Sequence, residues 1–211
     1  MRFRDFRAVI ANLPTPYQSA TSEPEKWEPW ISQNTRIGIA LRSIFKDFGT
    51  KDGKQACISR SDLGRLGREP QLERFVMATI LWGYESPAGM RGDNFSNFAP
   101  HLSVLTKLLH GARSTPISDW ESHFAKVTPI TGIGLSTYTK FLTFLSVKVH
   151  GYSALILDDQ IVQVLQRGHE VFVELNPLRN INDSNKHRVY EPHAVRICML
   201  EISCQRKPIR R

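Results

Sequence analysis

The stretch 129–165, PITGIGLSTYTKFLTFLSVKVHGYSALILDDQIVQVL, constrains the fold more than any other part of the chain. It holds a Gly-x-Gly turn, Gly132-Ile133-Gly134, between apolar segments. Two glycines let the backbone reverse sharply with its N–H groups turned outward. A helix beginning there adds its own unsatisfied N–H groups and the positive end of its dipole. A helical hairpin of this kind, at 129–148, grips one phosphate without reading a base. Beyond it, Leu135, Tyr138, Phe141, Leu142 and Leu145 fall on one face of a helix, and Ser136, Thr137, Lys140 and Thr143 lie towards the other. Asp158 follows Gly134 by 24 positions, after an apolar run, and reads as the N-cap of a helix reaching Arg167 with Gly168 behind it.

The rest of the chain also reads as helical. Phe3, Phe6, Ile10 and Leu13 mark a short N-terminal helix that Pro14 and Pro16 end. The polar segment 18–33 reads as an irregular connection in which Trp27 and Trp30 serve as buried anchors or stack on bases. Thr35 caps a helix whose buried stripe is Ile37, Leu41, Ile44, Phe45 and Phe48, and Gly49 stops it. Segment 50–68, with Lys51, Lys54, Arg60, Arg65 and Arg68, reads as a loop, either solvated or facing a phosphate. Pro70 can open the next helix, with Leu72, Phe75, Val76 and Ile80 buried, and a glycine-rich loop, 86–95, follows. A helix over 100–110 is expected to stop at Gly111, and a capping box at 118–121 to open a helix carrying Trp120 and Phe124. Segment 171–190 is a polar connection. Pro192 starts a last helix in which Val195, Cys198, Met199 and Ile202 share a face, and 205–211 is a basic tail that adds non-specific DNA affinity. No internal repeat and no strand stands out. The expectation is an all-α fold, a single domain over 1–211.

With 211 residues the chain is long enough to bury a sizeable core. Its net charge of +8 and pI near 9.6 suit a polyanionic partner. Cys57, Cys198 and Cys204 are too few and too scattered for a disulfide framework or a four-thiolate cluster, so no metal or other cofactor is expected. No apolar run suits a signal peptide or a membrane span, which makes a reducing cytoplasmic setting, alongside the nucleoid, the default.

The turn and the aspartate together resemble the helix-hairpin-helix DNA glycosylase superfamily. Its hairpin reads L-P-G-V-G-x-[K/S/Y]-T-A, and its catalytic aspartate follows at about this distance. Gly132-Ile133-Gly134-Leu135-Ser136-Thr137 matches the hairpin and 157–165 matches the aspartate segment. In size and plan the chain is similar to short bacterial proteins described as 8-oxoguanine-DNA-glycosylase-like, some of them encoded in phage-defence operons. The resemblance implies two helical lobes with a basic cleft, double-stranded DNA across its mouth, and the hairpin residues 132–137 (Gly132, Ile133, Gly134, Leu135, Ser136 and Thr137) on the backbone. One base, an 8-oxoguanine-like purine by preference, would be flipped into the cleft. Tyr84 and Asn94, near the loop that enters the duplex in that family, are candidates to fill the gap; Tyr84 also reads as a cap on the core.

By the same resemblance Asp158 is the catalytic carboxylate, stabilising the charge that develops on the sugar as the N-glycosidic bond breaks. Asp159 is expected to point elsewhere. Family members that also cut the strand place a lysine where this chain has Ser136, which favours base removal without strand cleavage, as in base-excision repair by a monofunctional enzyme. Lys140, one turn beyond Ser136 on roughly the same face, reads as solvated or phosphate-bound, or as an amine that enters the cleft and gives lyase activity. The adenine-removing branch has a glutamate where this chain has Ala78-Thr79, with only Glu73 and Glu85 nearby. A rival reading is a catalytically silent glycosylase fold that binds DNA or senses a modified base in antiviral defence. Protein partners are not readable.

Overall fold

The structure, a computed structural model, describes residues 17–90, 93–168 and 180. The N-terminal segment before Pro14, the connection 171–190, the helix after Pro192 with Cys198, and the tail 205–211 lie outside the described residues, as does Cys204.

The chain is mostly helical, as the periodicity implies, and it is arranged around one helix. In α4 (Glu73–Gly83), every residue from Phe75 to Leu81 is buried. A helix apolar on all sides must be covered on all sides. Here α2 (Arg36–Phe48), α3 (Arg60–Leu66), α6 (Leu102–Ser114) and α8 (Leu135–Phe144) pack on it together with two strands. Pro70 does not start α4; the helix opens three residues later, with Leu72 as its N-cap. In α2 the Thr35 hydroxyl accepts the Gly38 N–H at 3.2 Å and the helix stops at Gly49, as the sequence indicates. Trp27 is sealed in the core and Trp30 half-buried, both edge-on to Phe95, which makes them anchors. Their segment contains a 3₁₀ turn (Pro24–Trp27) running into the short α1 (Glu28–Ile31).

Strands are present, contrary to the expectation. β1 (Ser19–Ser22) pairs antiparallel with β2 (Ala56–Ser59), Ser19 opposite Ser59 and Ser22 opposite Ala56. Each is four residues long, and only Ala56 and Ile58 of β2 show the alternation of a half-buried strand, which is too short a run to register. Segment 50–68 is therefore not a loop. It holds β2 and then α3, opened by a capping box in which Ser59 and Asp62 satisfy each other's backbone N–H groups.

Three further boundaries differ. The 86–95 segment holds a 3₁₀ turn (Pro87–Met90) and leads into α5 (Asn94–Phe98). Gly111 does not end its helix: α6 follows a 3₁₀ turn (Ala99–His101) and continues to Ser114. Its last turn is anchored from outside, because Arg113 donates to the carbonyls of Gly67 and Glu69 at 3.0 and 2.8 Å. The cap of α7 (Trp120–Phe124) is Asp119, not Ser118, through the Ser122 N–H at 3.0 Å.

After α8, Ser146 takes a left-handed conformation, and the N–H groups of Ser146 and Val147 return to Thr143 and Leu142. This C-cap leads into a tight antiparallel hairpin, β3 (Lys148–Val149) and β4 (Tyr152–Ser153), turned through His150 and Gly151, both with positive φ. The hairpin sends 154–157 back along α8 and delivers Asp158 to the start of α9 (Asp159–Gly168). No helix among the described residues is long and apolar enough to cross a membrane.

Candidate active site

The end of α4, the hairpin with α8, and the start of α9 enclose a cavity of about 700 Å³. β1 and Arg60 complete its walls.

On α8 the core face is buried as its spacing requires. The opposite face is not solvated. Thr137, Thr139 and Lys140 are all buried, because α4 and the segment before Asp158 lie over them. The alkyl stem of Lys140 runs along Gly83, and its ammonium sits 5.6 Å from the centre of the Tyr84 ring. The Lys140 amine donates to Ser136 Oγ at 3.3 Å and stands 3.8 Å from Asp158 Oδ2. This corrects the solvated reading of Lys140. Burial lowers its pKa from the ordinary lysine value, and the charges of Asp158 and Asp159 oppose the shift in part.

Asp158 uses its other oxygen as an N-cap, Oδ1 accepting the Ile161 N–H at 3.0 Å. Its approach to Lys140 is fixed from α8 itself. The buried Thr139 hydroxyl accepts the Leu157 N–H at 3.0 Å and donates to the Ser136 carbonyl at 3.2 Å. One side chain thus ties the residue before Asp158 to the turn that carries Ser136.

In the hairpin, Gly132 has φ +88°, and a Cβ there would fall 2.0 Å from the Asn94 carbonyl oxygen, so this position requires glycine. Gly134 is different: its backbone is extended, nothing lies within 4 Å of a Cβ built on it, and no side chain caps the start of α8. Of the residues singled out in the sequence, Gly132, Gly134, Leu135, Ser136, Thr137, Lys140, Asp158, Tyr84 and Asn94 all line the cavity; Ile133 is buried and does not. Tyr84 is half-buried with its hydroxyl 2.7 Å from Thr137 Oγ1, and the Asn94 amide donates to the Met90 carbonyl at 2.6 Å. Asp159, expected to point elsewhere, lines the cavity as well. Ala78 and Thr79, at the glutamate position of the adenine-removing branch, are buried in α4, Glu73 pairs with Arg36, and Glu85 is exposed.

The sequence reading does not single out Trp82, and it places Arg60 in a loop, solvated or phosphate-facing, instead of on the cavity wall. The Arg60 guanidinium lies over Trp82 and Phe144, 5.4 and 6.0 Å from the ring centres, and burial depresses its pKa against the pull of Asp158. The Ser59-x-x-Asp62 box was the available signal, since it fixes Arg60 at the first position of a helix instead of in a loop. Among the described residues no group of three or more His, Cys, Asp or Glu side chains is placed to hold a metal ion.

No curated protein and no solved structure matches the chain. A family model does, described as "Putative 8-oxoguanine DNA glycosylase OGG-like protein", and it takes in residues 14–192, which include every residue the structure describes. The chain belongs to that OGG-like family.

Proposed function

We propose that this protein is a DNA glycosylase that extrudes an oxidised guanine from duplex DNA into the cavity and releases it with Lys140 and Asp158. The observation that carries this reading is the pairing of the buried Lys140 with the half-buried Asp158 on the cavity wall, 3.8 Å apart. An amine whose pKa is lowered by burial reaches its neutral, nucleophilic form at a lower pH than an exposed lysine. The Lys140 amine attacks C1′ of the extruded nucleotide. As the new C–N bond forms, the glycosidic bond breaks and its electron pair leaves with the base, while Asp158 stabilises the positive charge that develops on the sugar. The proton shed by the amine passes to the departing base or to water. Collapse to an imine with opening of the sugar ring then permits elimination of the 3′ phosphate.

The uncapped start of α8 and the open face of Gly134 suit a phosphate of the same strand, and the net charge of +8 suits the duplex as a whole. In this reading Tyr84 and Asn94, which line the cavity, fill the gap that the extruded base leaves. The two-lobed plan with its basic cleft belongs to this reading.

A second reading rests on Ser136, which stands where strand-cutting relatives by resemblance carry lysine. In it Asp158 orients a water, Lys140 serves as its charged partner, and the base leaves without strand cleavage. Single-turnover incubation of end-labelled duplexes carrying 8-oxoguanine, with and without hot alkali and borohydride, separates the two. A borohydride-trapped adduct in wild type that vanishes in Lys140→Gln supports the amine mechanism. Breaks only after alkali, lost in Asp158→Asn, support the water mechanism. Neither breaks nor an adduct would count against both mechanisms and favour a protein that binds DNA without cutting it.

A further inference from the structure

We infer that Arg60 holds a second phosphate of the extruded nucleotide, on the far side of the sugar from the hairpin. This inference rests on the reading that the cavity takes such a nucleotide.

Three consecutive residues at the end of α4 order the wall. Tyr84 is hydrogen-bonded to Thr137 in the first turn of α8, so it marks the hairpin side. Gly83 lies against the Lys140 stem, so it marks the reacting pair. Trp82 lies under the Arg60 guanidinium and marks the other end. A strand whose phosphate sits at the start of α8 and whose sugar lies over Lys140 and Asp158 meets Arg60 with its next phosphate.

The state of Arg60 fits that role. The guanidinium rests over the edge-on pair of Trp82 and Phe144, and its Nε is shut off from solvent with no hydrogen-bond acceptor. No hydrogen bond or ion pair to the guanidinium is found among the described residues. The other arginines and lysines of segment 50–68 differ. Arg65 pairs with Asp62 and Glu69, Arg68 donates to the Gly64 carbonyl, and Lys51 and Lys54 are exposed away from the cavity. A half-buried guanidinium seated on two rings, with no acceptor for its terminal N–H donors, suits a phosphodiester oxygen.

The test measures binding to a duplex with one tetrahydrofuran site, which has no base and cannot be processed. Neutral methylphosphonate linkages replace the phosphates around that site one at a time, and wild type, Arg60→Gln and Arg60→Lys are compared over a salt series. The expected result is one linkage at which methylphosphonate weakens wild type by roughly tenfold or more yet leaves Arg60→Gln unaffected. The salt slope of Arg60→Gln should fall by about 0.9, and Arg60→Lys should lie between the two. Losses that multiply at every linkage overturn the inference while sparing the proposed function. So does a loss that needs the base, seen only with a non-cleavable 2′-fluoro-8-oxoguanosine duplex. A wild type that binds no duplex overturns both. Should Arg60→Gln fail to fold, Arg60→Lys, which keeps the charge over Trp82, carries the comparison.

Discussion

Two ion pairs of this molecule join the same kinds of groups in opposite settings. Arg74 reaches Asp47 and Glu69 across the outside of α2 and α4, where the Arg74 and Asp47 side chains keep 27% and 45% of their exposure. Lys140 faces Asp158 within the cavity, and those side chains keep 9% and 25%. Water reaches the Asp47 end of the first pair and screens it, so the pair contributes little to stability. The second stands where solvation is poor, where a charge is costly and a pKa moves. On the proposed function, the costly pair is the one retained for chemistry.

The strongest way to break the comparison is to remove each pair. Lys140→Gln should lower single-turnover base release by on the order of 10⁴-fold or more, measured on an 8-oxoguanine duplex. In wild type the rate of adduct trapping should rise with pH through the lowered pKa of Lys140, below the range of a free lysine. The charge of Asp158 helps to keep the proton on Lys140, so Asp158→Asn should move that rise to still lower pH while its plateau falls. A profile that stays put would separate Asp158 from Lys140.

A finer test keeps both charges and loosens only their spacing. Thr139→Val retains the shape of the side chain but loses the bonds to Leu157 and Ser136, and should slow trapping roughly 10- to 100-fold, with Thr139→Ser close to wild type. Smaller effects are expected in the hairpin. Gly132→Ala, forced against the Asn94 carbonyl at positive φ, should cost about 2 kcal/mol or more in denaturant unfolding. Gly134→Ala should cost about 1 kcal/mol or less while weakening binding to all DNA sequences alike. The smallest effect belongs to the surface pair: Arg74→Ala should change stability by about 1 kcal/mol or less and leave base release untouched.

What was legible in the sequence was local. The Thr35 cap, the stripe of α2, the core face of α8 and the cap at Asp158 each depend on residues within a turn or two of one another, and the structure has them, with Phe45 and Phe48 half-buried at the edge of the α2 stripe. The placement of Lys140 was not legible, because the groups that bury it come from Gly83, Tyr84 and the stretch before Asp158, which no periodicity within α8 encodes. The same holds for β1 and β2, whose pairing spans the whole of α2, and for Arg60, hidden among glycines and other cations. Gly111 shows the converse, a local stop signal overridden by the tertiary anchor of Arg113.

The aromatic seat of Arg60 has an optical consequence. Trp27 and Trp120 are sealed in the core and Trp30 packs on Phe95, so Trp82 alone of the four tryptophans lines the cavity. A cation resting on an indole perturbs its emission, and a phosphate that offsets the guanidinium charge in place would change that perturbation. If Arg60 takes a phosphate as inferred, a change in the Trp82 contribution to the intrinsic fluorescence would time the entry of a nucleotide separately from any bond breaking that follows.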